Sequence, residues 1–95
     1  MFKITAGKGF HVGFSNGYTV SVQFGPGDYC ENRDAETGRD ETLCGKRGCP
    51  TAECAVWGKD SELIRVEDLG WDDTVNGYMT AEQVLELLNW AAAQG

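Results

Sequence analysis

Two runs that alternate apolar and polar residues, Gly9-Phe-His-Val-Gly-Phe14 and Tyr18-Thr-Val-Ser-Val-Gln-Phe24, flank Ser15-Asn16-Gly17, a strong β-hairpin signal. Register sets the loop length. A two-residue Asn16-Gly17 loop would put Phe14 opposite Thr19 and Val12 opposite Ser21, dividing the apolar side chains between two faces. A three-residue loop with Gly17 in the left-handed conformation instead pairs Phe14 with Tyr18, Val12 with Val20 and Phe10 with Val22. All six then share one face, leaving His11, Gly13, Thr19, Ser21 and Gln23 on the wetter one.

The C-terminal segment is the natural cover for the apolar face. Thr80 with Gln83 three residues later forms a capping-box pattern, and Met79 with Val84 forms a hydrophobic staple. Val84, Leu87, Leu88 and Ala91 follow a helical stripe, which Leu85 and Ala92 widen. Trp90 lies off its centre, where it either shields the helix edge or meets a partner. Between hairpin and helix, Ala52-Glu-Cys-Ala-Val-Trp57 reads as a strand, Gly58-Lys-Asp-Ser61 as a turn and Leu63-Ile-Arg-Val66 as a fourth strand. Gly25-Pro-Gly-Asp28 ends the second hairpin strand. Residues 31–50, apolar chiefly at Leu43, read as a polar loop or insertion. The 95 residues suffice for one core. The expected architecture is therefore a single α+β domain over 1–95, a small antiparallel sheet of about four strands with one C-terminal helix packed on one face.

Charge is unevenly placed. Residues 1–27 carry Lys3 and Lys8 and no acid, whereas all fifteen acids lie between Asp28 and Glu86 against six bases, a local net of −9. Such a field repels phosphate backbones and argues against direct nucleic-acid binding. It would attract a basic protein, and a carboxylate-bearing surface can compete with nucleic acid for a basic groove. No apolar run approaches a membrane span, and the first residues lack the pattern of a signal peptide, so a cytoplasmic protein is expected.

Cys30, Cys44, Cys49 and Cys54 fall in one 25-residue window. Four thiolates could hold one structural zinc, but the tight two-residue pairs of strong zinc motifs are missing. Free thiols are the leading reading, a disulfide the least favoured, and Cys54, alternating with Ala52 and Val56, suits a core position. His11, the sole histidine, reads as an ordinary strand residue. Asp40 and Glu41 in the polar loop, and Asp72 and Asp73 beside Trp71, have no catalytic or calcium-binding spacing. They suit a solvated or partner-binding surface, with Trp57 and Trp71 as aromatic anchors. No nucleophile is paired with a base, which argues against an enzyme.

Three phrases together, Asn16-Gly-Tyr-Thr-Val-Ser-Val-Gln-Phe-Gly-Pro-Gly-Asp-Tyr-Cys30, Ala52-Glu-Cys-Ala-Val-Trp57 and Val75-Asn-Gly-Tyr-Met-Thr-Ala-Glu-Gln-Val84, resemble small accessory proteins of tailed phages and prophages. The resemblance implies action in an infected bacterial cytoplasm, where small acidic phage proteins often inhibit host enzymes or defence systems, anti-CRISPR proteins among them. The expected function is thus non-enzymatic binding that inhibits or redirects a host or defence protein, with a homo-oligomer left open. A small-molecule binder that sequesters a defence nucleotide signal is the alternative, using Arg33, Arg39, Lys46, Arg47 or Arg65. A zinc-held interaction module is a third reading.

Overall fold

Five antiparallel strands form a meander in the computed structural model, which describes residues 1–5, 8–34 and 48–95. They are β1 (Phe2–Thr5), β2 (Gly9–Gly13), β3 (Thr19–Gln23), β4 (Thr51–Trp57) and β5 (Val75–Thr80), hydrogen-bonded in sequence order. A short 3-10 turn (Glu67–Leu69) precedes β5, and helix α1 (Ala81–Ala92) follows it directly. The α+β class agrees with the sequence reading, with one strand more than expected.

The β2–β3 hairpin has the bulged three-residue loop. Val12 pairs with Val20 and Phe10 with Val22. The Phe14 N–H donates to the Tyr18 carbonyl at 2.8 Å, and Gly17 takes a φ of +91° that few side chains tolerate. Gly9 is needed for a different reason: a Cβ there would lie 2.0 Å from the Val22 carbonyl oxygen, so only glycine lets β2 approach β3 this closely. Asn16 ties the loop across the molecule, its amide donating to the Ala91 and Gln94 carbonyls at 2.8 and 2.7 Å.

Leu63–Val66 is not a strand. β4 has only two sides; β3 takes one, and β5 takes the other from Thr51 to Ala55. Only the last two residues of β4 remain free on that side, where Trp57 bridges Leu63 and the Ile64 N–H reaches the Val56 carbonyl. The strands that complete the sheet beside β2, β3 and β4 are β5 and the N-terminal β1. Between the Ala52–Met79 and Cys54–Asn76 pairs β5 is bulged, Gly77 and Tyr78 standing opposite Glu53 alone and shifting the register by one, with Tyr78 at φ +54° and its N–H turned to the Tyr29 carbonyl.

α1 starts at the capping box read from the sequence: the Gln83 N–H donates to Thr80 Oγ1, and the Thr80 N–H to Gln83 Oε1. Its buried residues are Leu87 and Ala91, with Val84 and Leu88 half-buried. The wider stripe is not used. Leu85 is 58% exposed and Ala92 faces solvent. α1 packs on β3, β4 and β5, closing a core of Val20, Val22, Cys54, Val56, Met79 and Leu87. Trp71 belongs to that core, at 3% exposure. No helix among the described residues is long and apolar enough to cross a membrane.

Candidate functional site

Helix coverage stops short of β1, and this places the candidate site. Phe2 and Ile4 pair with Val12 and Phe10, so their side chains lie on the core face of the sheet. α1 does not reach them, and they stand 80% and 82% exposed. A groove of about 270 Å³, lined by Phe10, Val22, Phe24, Ala52, Met79 and Val84, is linked to them through Phe10, the cross-strand partner of Ile4. Apolar surface therefore extends from under the start of α1 through Phe10 to the sheet edge.

The backbone of that edge is open. Met1 and Gly13 exchange both hydrogen bonds, at 2.6 and 2.7 Å. In an antiparallel ladder bonded and non-bonded pairs alternate, so Lys3 and Thr5 turn their amide groups toward β2 while Phe2 and Ile4 turn theirs outward. Lys3 is the single charge on the strand. Exposed strand edges invite pairing with another chain, and proteins usually blunt them with proline, bulges or several charges.

The residues singled out from the sequence scatter. Trp71 is buried against Val66, Met79 and Leu87 and cannot touch a partner, which corrects its reading as an anchor. Asp72 and Asp73 stand exposed just before β5, the edge opposite β1, about 19 Å away at the usual strand spacing. Asp40 and Glu41 lie outside the described residues, as do Arg39, Lys46 and Arg47. Arg33 lies 4.4 Å over the Tyr29 ring and Arg65 pairs with Glu67, so the two described arginines do not converge on one pocket. Trp90 is docked rather than offered, with its Nε1–H on Asp68 Oδ2 at 3.1 Å and its ring edge-on to Tyr18. Trp57 is half-buried on the helix-free face, its ring edge-on to His11 at 5.1 Å.

The cysteines part in the same way. The Cys30 thiol is buried, donates to the Gly25 carbonyl at 3.6 Å and has the Cys49 thiol as a neighbour; burial chiefly pushes it up to about 11. Cys54 sits mid-strand between Val22 and Asn76 and is pushed up to about 12 by burial in the core. Cys44 lies outside the described residues. No group of three or more metal-ligating side chains occurs among the described residues, so these do not assemble the four-cysteine site.

Thiol reactivity should follow this order. Since the thiolate is the reactive form, values of 11 and 12 leave about one part in a thousand and one in ten thousand ionised at pH 8. Native-state maleimide labelling read by peptide mass spectrometry should therefore modify Cys49 well before Cys30 and Cys54. Both raised values favour the protonated thiol in the folded state. Their contribution to stability is complete below the usual 9.0 and declines as pH rises toward 11–12, so alkaline titration should lower the unfolding midpoint. Rapid native labelling of Cys54 would contradict its place in the core.

β1 is the element that carries the site and that the sequence reading left unassigned. Its signal was the short alternation Phe2-Lys-Ile-Thr5. Compared with protein-family models, curated proteins and solved structures, the chain matches none.

Proposed function

We propose that this chain is a non-enzymatic binding protein that docks a host or defence protein through the β1 edge and the apolar face beside it, inhibiting or redirecting that partner. The observation that carries the reading is the pair Phe2 and Ile4, 80% and 82% exposed on an edge with outward backbone donors and acceptors. An extended segment of the partner adds there as a sixth strand. Its main-chain hydrogen bonds supply affinity, and its alternate side chains meet Phe2, Ile4 and the groove at Phe10. The phage setting that the sequence resembles supplies such partners. Mimicry of nucleic acid is less well supported, because Asp72 and Asp73 lie at the far end of the sheet from this apolar surface.

The test is a benzophenone amino acid placed at Phe2, or as a control at Asp72, in the chain expressed in a bacterial host. A discrete adduct with one host protein is expected from the Phe2 position alone, and it should vanish with Ile4→Asp. That variant should stay within about 0.5 kcal/mol of wild-type stability, because Ile4 is almost fully solvated. With the captured partner purified, the association rate should change little with salt, whereas a surface built on carboxylates would show a steep decline. Capture at Asp72 only, capture of a second copy of the chain, or no capture at Phe2 would each overturn the reading.

A further inference from the structure

The helix-free face of the sheet carries a second concavity, distinct from the apolar edge. It is a cleft of about 530 Å³, within the range of roughly 300–1,000 Å³ common for small-molecule sites. Its position follows from register. Gly13, Thr19 and Trp57 form one cross-strand row on this face, and Lys3 and His11 begin the next. Gly13 leaves part of the floor without a side chain, with Thr19 between it and Trp57, while the Trp57–His11 contact at 83° between ring planes supports one wall. Ser15 and Thr19 add hydroxyls and Lys3 an ammonium.

We propose that this cleft binds a small anion that carries a planar ring, of the mononucleotide class. Three observations point that way. An indole at a cleft wall offers a stacking face to a planar ring. No carboxylate is among the described residues that line the cleft, although the chain has fifteen acids, and the two cationic or imidazole side chains there, Lys3 and His11, come from the acid-free first 27 residues. Finally, the local net of −9 over the rest of the chain would repel a polyanion, so a single phosphorylated unit fits where a nucleic-acid strand does not. Charge and shape thus select a small ligand.

Gly13 makes the inference testable. A Cβ there would meet nothing closer than Thr19 Oγ1 at 3.7 Å, so a larger side chain has room to start and then fills the cleft. The full chain would be titrated with the four nucleoside 5′-monophosphates, and with adenosine and inorganic phosphate as separate probes, followed by amide and indole NMR. At least one monophosphate should give saturable shifts at Gly13, Thr19 and the Trp57 indole. Adenosine and phosphate alone should each bind at least about tenfold more weakly, and Lys3→Gln should weaken the monophosphate about tenfold. Gly13→Leu should abolish the shifts while the α1 amide signals stay in place; if it fails to fold, the exposed Lys3→Gln decides alone. No saturable shift at millimolar monophosphate, equal binding of adenosine, or indifference to Lys3→Gln would overturn the proposal. Since Ile4→Asp leaves this face untouched, the cleft and the docking edge fail or succeed separately.

Discussion

Trp71→Ala should destabilise the fold by about 3–5 kcal/mol, the usual cost of truncating a buried tryptophan. The indole is 3% exposed and lies in one cluster with Val66, Met79, Leu87 and Ala91, so its removal opens a cavity between the segment before β5 and the helix. Neighbouring backbone is anchored to the same point, since the Trp71 N–H donates to the Val66 carbonyl at 3.1 Å and its carbonyl accepts from Arg65. A domain of this size holds only about 5–15 kcal/mol in total, so a large share of the stability would go. The thermal midpoint should fall by more than about 12 °C, and circular dichroism during urea unfolding would measure the free-energy change. A loss below about 1 kcal/mol would put the indole at the surface, where alanine costs little, and would restore Trp71 as a partner anchor.

Asn16→Ala should cost about 2–3 kcal/mol, more than a turn residue ordinarily does, because its amide finishes the helix as well as the hairpin. α1 ends without glycine at its cap and without a basic residue in its last turn, and its final carbonyls draw donors from Ala93, Gln94 and the hairpin loop. Asn16 Nδ2 is the loop's donor, to Ala91 and Gln94, while Oδ1 accepts the Tyr18 N–H at 3.0 Å. Asn16→Asp separates the two roles. Aspartate keeps the acceptor for Tyr18 but turns a carboxylate toward helix carbonyls, so it should be at least as destabilising as alanine. Urea unfolding gives the magnitude, and hydrogen exchange at 91–94 gives the location. An aspartate variant as stable as wild type would show that the hairpin turn, and not the helix end, is what Asn16 serves.

The hairpin and the start of the helix were legible because their determinants are local. The face shared by Phe10, Val12 and Phe14 with Tyr18, Val20 and Val22 permits one loop length, and Thr80 with Gln83 completes a cap within four residues. The Leu63–Val66 segment misled for the opposite reason. Its composition suits a strand, but strand formation needs a free neighbour, and β5 already occupies that side of β4. β5 itself was obscured by Asn76-Gly77, which resembles a turn until the bulge opposite Glu53 is seen to accommodate it. For the candidate site, little was visible. Exposure of Phe2 and Ile4 depends on where α1 stops, and Trp71, adjacent to two aspartates in sequence, is drawn inward by contacts with residues from β5 and α1.

By itself the sequence determined the α+β class, the bulged hairpin with Gly17 at its turn, the capping box at Thr80 and the division between an acid-free beginning and an acidic remainder. These follow from periodicity, backbone sterics and charge, all of which act between residues close in the chain. Tertiary structure decided the order of the strands, the burial of Trp71, the reach of Asn16 to the far helix end and the bare edge at β1. Each of those depends on which surfaces compete for the same neighbour. A helix of twelve residues covers three strands of this sheet, so the apolar face it leaves over follows from packing and cannot be read from any one segment.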